Sequence, residues 1–290
     1  MKTILTLTDF SLAAENAAKY ALALAADEKA DVILCNAFSV PAEAPMAARI
    51  AWPLMDYDVL VNESNTELDI LVKNLQRLPE VENDYVPNIE FESCVGTVQE
   101  VTLKLVRKKK IDLVVMGMAG SGAVSQMLLG SNCRSMIEDA IFPVMYIPFE
   151  ANYIPLKTIA FATDLRLEDV KVIKSILNLL QPLAPRLRII NITDKEVLPA
   201  SKRQVMIDTF LQEVCKQIQQ VNIVYEYVWN IDIDNGLDWI TEQPEIDLIA
   251  IVHHQHSLIS RLIKGSHTQK LARKTKIPLL VYPHPNLGIK

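Results

Sequence analysis

The chain has 290 residues, 50% hydrophobic and 22% charged, which is enough for about two domains with sizeable cores and too apolar for disorder. No apolar run reaches the ~18–20 residues of a membrane helix, and Asp9 ends the first run too early for a secretion signal. A net charge of -6 and a pI near 5.5 argue against nucleic acid or an anionic membrane as general partners, and four scattered cysteines without a CxxC pair fit a reduced, cytoplasmic setting without zinc.

In chain order, Ile4–Leu7 reads as a first strand, short and apolar on both faces, followed by an alanine-rich helix over Ala13–Lys29 with Ser11 placed to cap it. Strands are predicted at Val32–Ala37, Ile89–Val95, Leu113–Met116 and Val144–Ile147, and helices at Pro53–Leu78 and Val98–Lys109. The pattern then repeats. Lys2-Thr3-Ile4-Leu5-Thr6-Leu7-Thr8-Asp9 returns as Lys157-Thr158-Ile159-Ala160-Phe161-Ala162-Thr163-Asp164, an offset of 155. Ile111–Met116 returns as Ile246–Ile251, and Pro143–Pro148 as Pro278–Pro283, both at an offset of 135. The second copy is therefore 20 residues shorter, and Ser39–Asp58 is the natural place for the difference. Its strands are predicted at Thr158–Ala162, Leu187–Ile192, Ile223–Val228, Leu248–Val252 and Leu279–Tyr282. Strands apolar on both faces and separated by helices make a parallel sheet covered on each side. The expected fold is two doubly wound, five-stranded α/β domains, residues 1–149 and 150–290, joined near Phe149–Leu156.

Four of the eight glycines fall within residues 117–130: Gly117, Gly120, Gly122 and Gly130, the last followed by Ser131-Asn132. The stretch leaves the end of a predicted strand and reaches the start of a predicted helix. There, glycine lets backbone N–H groups approach phosphate oxygens, and a helix N-terminus favours negative charge. No GK[ST] follows and no G-x-G-x-x-G is present, so this is neither a Walker A loop nor a dinucleotide fingerprint. A glycine-assisted turn without a ligand fits the same spacing.

The arrangement Gly117-x2-Gly120-x9-Gly130-Ser131 resembles the G-2x-G-9x-G-[S/T] signature of the ATP-binding branch of the universal stress protein family. Thr8-Asp9-Phe10-Ser11 is similar to the family's first-strand motif, and Ala140 with Pro143-Val144 to its last helix-to-strand passage. The resemblance covers almost the whole chain as two tandem domains. It implies strand order 3-2-1-4-5 and an adenine nucleotide, ATP with magnesium or manganese, across strands 1 and 4. It also implies pairing through the last strand, here met within one chain as an intramolecular pseudo-dimer, with further homodimerisation left open. Carried over, Thr8 and Asp9 would face the ribose or the phosphates with their metal, Ala37 with Phe38 beside it would read the adenine edge, and Met116 and Gly117 would line the ribose side. Gly120 would meet the phosphates, and Gly130, Ser131 and Asn132 would close over them. Ala37 is smaller than the family's usual valine, and Cys133-Arg134 departs from its usual sequence.

In the second copy Val252 and Gln255 replace Gly117 and Gly120, while Gly265-Ser266 and Asp164 persist. Nucleotide should fit poorly there, so one site per chain is expected, with no cofactor in the second domain. Copying that loop into the first as Gly117→Val with Gly120→Gln should abolish nucleotide binding and leave the fold intact. The same loop holds His253, His254, His256 and, further on, His267, whose imidazoles could bind a divalent metal with Asp164, although no cysteine or second spaced pair joins them and an ordinary polar loop is the reading the sequence favours. Cys133 stands where a helix N-terminus could lower a thiol pKa, or could simply be a buried thiol. Arg107–Lys110 is expected to finish a helix, where cations suit the dipole. Met46, Trp52, Met55, Asp56, Asp58 and Glu63 belong to the insertion, read as a lid or packing helix. Hydrolysis would need charge stabilisation by a metal, lysine or arginine. The glycine loop has no lysine and the first copy no histidine. The expectation is a stress-response regulatory protein that binds nucleotide with little turnover and offers a surface to a protein partner. A slow ATP hydrolase and a scaffold that binds no nucleotide are the alternatives.

Overall fold

Strand β1 (Lys2–Leu7) sends Ile4 to one face of the sheet and Leu5 and Leu7 to the other, all three buried. This two-sided burial is what an apolar strand without alternation requires. The chain is described from a computed structural model over residues 2–39, 57–78, 85–118, 131–193, 199–218, 222–229, 236, 239–253 and 276–283. Helix α1 (Leu12–Glu28) starts at Ser11, whose hydroxyl accepts from the Ala14 N–H at 3.3 Å. The first half continues through β2 (Ala30–Phe38), α2 (Tyr57–Gln76), β3 (Ile89–Val95), α3 (Val98–Lys109), β4 (Leu113–Met118), α4 (Ser131–Asp139) and β5 (Val144–Pro148). The second runs through β6 (Thr158–Thr163), α5 (Asp169–Leu179), β7 (Arg186–Thr193), α6 (Ala200–Gln217), β8 (Ile223–Trp229), β9 (Leu248–Val252) and β10 (Leu279–Tyr282).

The strands form one ten-stranded sheet in the order β3-β2-β1-β4-β5-β10-β9-β6-β7-β8. Each half has the expected 3-2-1-4-5 order with parallel neighbours. The halves meet at an antiparallel seam, where Val144, Met145 and Tyr146 of β5 stand opposite Val281, Leu280 and Leu279 of β10. Because the seam reverses strand direction, the C-terminal strand ends of the two halves lie along opposite edges of the sheet. Helices α1, α2, α5 and α6 share one buried cluster that runs across both halves, while α3 and α4 cover the other face.

The joining segment is packed in place. Ala151 and Leu156 are buried, and the Asn16 amide of α1 donates to the Pro148 and Ala151 carbonyls at 3.2 and 3.0 Å. Tyr153 stacks edge-on against Tyr20, with ring centroids 5.0 Å apart, and its hydroxyl bonds Asp27. At the end of α1 the buried Glu28 carboxylate meets Lys2 Nζ at 2.7 Å, and the same ammonium donates to the Leu179 carbonyl of α5.

Burial pushes the Glu28 carboxyl above the usual carboxylate range, and the bond to Lys2 pulls it partly back. Lys2→Met removes that compensation and should cost about 1–3 kcal/mol near neutral pH. A carboxyl whose folded pKa is raised favours the folded form more as pH falls. The deficit should therefore shrink as pH drops through Glu28's raised range, a trend that thermal unfolding against pH will read.

Arg107, Lys108 and Lys109 occupy the last turn of α3, as expected, and Lys109 reaches Glu90 and Glu92 on β3 at 3.3 and 3.1 Å. Asp58 and Glu63 lie on α2. Met46, Trp52, Met55 and Asp56, together with residues 53–56 of the expected helix, lie outside the described residues.

Candidate functional site

At the C-terminal ends of β1, β2 and β4 lies a cavity of about 220 Å³. The turn after β1 shapes its rim. Phe10 takes a left-handed φ of 62°, held by its N–H donating to Thr8 Oγ1 at 3.0 Å, and the Ser11 N–H donates to Asp9 Oδ1 at 3.1 Å. Such local side-chain bonds substitute for strand pairing where the chain leaves the sheet. The Thr8 N–H donates to Cys35 O at 2.9 Å, and the buried Asn36 amide donates to Thr8 O at 2.8 Å. Asn36 in turn accepts from Ser64 of α2 at 2.9 Å, and Ser64 accepts from Ser93 of β3 at 2.8 Å. This chain of bonds fixes the end of β1 against β2, β3 and α2.

Of the residues expected at a site, the structure brings Thr8, Asp9, Ala37, Met116, Gly117 and Asn132 onto one cavity wall. Phe38 stands outside that lining, and its carbonyl accepts from the Gly96 N–H at 2.9 Å. Ser131 begins α4. Gly120 and Gly130 lie outside the described residues. Sequence reasoning missed Leu7, Ser11, Ala13, Ala14, Cys35, Val98 and Cys133, which complete the lining.

The cavity has a polar and an apolar end. Asp9 and Ser11 are exposed at the mouth, and Thr8 is buried behind them. Cys35, Ala37, Val98 and Met116 make the apolar wall. Among the described residues the Thr8 hydroxyl accepts a bond but donates to no protein acceptor. Its proton is free to meet an oxygen of a bound molecule. Asp9 offers the hard oxygen that magnesium or manganese prefers. A flat apolar ring with an oxygen-rich, metal-bearing tail fits this division.

One expectation needs correcting, and the Cys133 alternative resolves as the buried thiol. Gly117 reads in the sequence as the start of a ligand-approach loop, yet β4 runs through Gly117 and Met118, which pair with Ile147 and Pro148. A Cβ at Gly117 would sit 2.4 Å from the Ala13 carbonyl oxygen and 2.6 Å from its carbon. Helix α1 therefore requires glycine at this position whatever binds. Cys133 is a buried thiol within 3.7 Å of Gly117 O. Burial pushes its pKa up to about 12, with a further rise from Asp9, so the helix terminus does not activate it.

In the second half the His253 N–H donates to Tyr282 O at 2.8 Å, extending the strand pairing. Among the described residues no group of three or more His, Cys, Asp or Glu side chains is placed to hold a metal. His254, His256, His267, Gln255, Gly265 and Ser266 lie outside those residues. No helix among the described residues is long and apolar enough to cross a membrane.

The model of the universal stress protein family matches residues 1–148 and 155–283. The chain is similar to a universal stress protein of Methanocaldococcus jannaschii, 27% identical over 146 residues, which are 50% of this chain and 81% of the relative. A second universal stress protein from that organism is 27% identical over 157 residues, 50% of this chain and 94% of the relative. Among solved structures, a universal stress protein from Archaeoglobus fulgidus superposes with a TM-score of 0.65 at 13% identity, covering 97% of this chain and 98% of that one. That likeness shows a shared fold across both halves.

Proposed function

The chain belongs to the universal stress protein family, and from that premise we propose that its N-terminal domain binds an adenine nucleotide, ATP with magnesium or manganese, at the ends of β1, β2 and β4. Residues 1–149 and 150–290 are the two domains of this reading. The observation that carries it is the cavity itself, where the unused Thr8 donor stands at the polar end and the Ala37–Val98 wall at the other. The base would lie along Cys35, Ala37 and Val98. Thr8 would donate to a ribose or phosphate oxygen, Asp9 would take the metal, and the start of α4 at Ser131 and Asn132 would face negative charge.

Among the described residues the cavity wall holds no lysine, arginine or histidine, so stabilisation of a transferring phosphoryl group would fall to the metal. Binding with little turnover, as part of a stress response in the cytoplasm, is the function this arrangement supports, with nucleotide occupancy presented to a protein partner.

The direct test is to denature the purified chain and separate the supernatant by anion exchange with absorbance at 260 nm. About one adenine nucleotide per chain supports the reading. None released, with no uptake of Mg-ATP on return, favours a scaffold. Thr8→Val keeps the side-chain volume but removes both the donor and the acceptor of the Phe10 N–H, so it should weaken Mg-ATP binding by at least about tenfold, the effect of one hydrogen bond to a charged acceptor. Calorimetric titration, with circular dichroism to confirm the fold, reads this result.

A further inference from the structure

The two halves treat one hydroxyl differently. Thr163 occupies in the second half the position of Thr8 in the first, and Leu165, with φ of 64°, repeats the left-handed Phe10. The Leu165 N–H donates to Thr163 Oγ1 at 2.9 Å, as Phe10 does to Thr8, and Asn191 donates to the Thr163 carbonyl at 2.8 Å, as Asn36 does to that of Thr8. The turn and its amide support are repeated, although Ser64 donates to Asn36 Oδ1 and no such bond reaches Asn191 Oδ1 among the described residues. The difference that bears on a ligand is the fate of the hydroxyl proton. In the first half it meets no acceptor among the described residues. In the second it is donated to Asp169 Oδ2 at 2.8 Å, and Asp169 is 1% exposed. By the offset of 155, Asp169 is the counterpart of Ala14, which lines the cavity of the first half.

We propose that Asp169 stands in for the acidic oxygen of a ligand, and that the residue at position 14 or 169 decides which domain takes a nucleotide. The inference rests on the nucleotide reading of the N-terminal domain. The Asp169 carboxylate fills the space that alanine leaves open and takes the strand-end hydroxyl. It also sets a buried negative charge where a phosphate or ribose oxygen would lie. A like charge fixed there repels an anionic ligand. Asp164, the counterpart of Asp9, forms an exposed ion pair with Arg166 at 2.9 Å.

Installing the second domain's residue in the first tests this. Ala14→Asp can form the Thr–Asp pair already accommodated at Thr163, and Ala14→Asn supplies the same volume without the charge. Titrated with Mg-ATP in the full chain, Ala14→Asp should bind at least about tenfold more weakly than Ala14→Asn, the scale of a like charge placed near an anion. Circular dichroism and thermal unfolding check that each variant is folded. Equal affinities of the two variants, or wild-type affinity in Ala14→Asp, overturn the inference alone. Absence of Mg-ATP binding by the wild-type chain overturns the nucleotide reading and this inference with it.

Discussion

A Gly117→Val chain is expected to lose at least about 3 kcal/mol of stability, with much of the protein recovered insoluble. The reason is contact with main chain and not with a flexible side chain. The Cβ alone would lie 2.4 Å from the Ala13 carbonyl oxygen and 3.0 Å from the Ala14 nitrogen. Relief requires moving the first turn of α1, which Ser11 caps and the Asn16 amide ties to Pro148 and Ala151. Gly117→Ala meets the same oxygen and should cost about 2 kcal/mol. The second half has Val252 at the equivalent place, and its helix begins later. Asp169, the first residue of α5, aligns with Ala14, which is already two residues into α1. Chemical denaturation of the two variants measures the loss. A Gly117→Val protein of wild-type stability would show that α1 can slide at no cost. The Gly117→Val, Gly120→Gln graft suggested by the sequence is therefore a folding mutant, and loss of nucleotide binding in it would say little about the site.

Leu280→Ala should cost about 2–5 kcal/mol, the range for truncating a fully buried leucine whose surroundings relax only partly. Leu280 is completely buried in β10, with Met145 of β5 on one side and Ala250 of β9 on the other. It belongs to the cluster that α1 and α5 share, so its removal loosens both halves at once. One cooperative transition shifted to lower denaturant is the expected record. A loss below about 1 kcal/mol would mean that the seam contributes little to holding the halves together.

Most of the fold was legible because burial and local signals agree. Helix α3 spans Val98–Lys109 as read, since Thr97 and Glu100 form a reciprocal capping box at one end and Lys110 turns left-handed at the other. Strands β9 and β10 match their apolar runs residue for residue, and β3 matches its predicted bounds although it is an edge strand with no buried residue. The seam between β5 and β10 came from the family resemblance and not from any periodicity, because nothing in either strand's own sequence names its partner.

Thr8, Asp9 and Asn132 were singled out through the family resemblance and lie on the cavity wall, and the sequence says less where the backbone decides. Glycine at position 117 has two possible reasons, a ligand or a neighbouring helix, and only three-dimensional packing separates them. The lining residues that were missed, Ala13, Ala14 and Val98, are small or apolar and carry no chemical signature. Ala14 against Asp169 is the exception, an alanine–aspartate difference open to inspection once the halves are aligned at their offset of 155. Its meaning needs the Thr163 hydrogen bond.

The measurement that bears most directly on this account is calorimetric titration of Mg-ATP into the full chain after removal of any nucleotide carried through purification. The account predicts saturation at about one nucleotide per chain, with binding weakened in Thr8→Val and weakened further in Ala14→Asp. Two equivalents per chain would contradict exclusion of nucleotide from the second domain, and no binding by a folded wild-type protein would contradict the nucleotide site altogether.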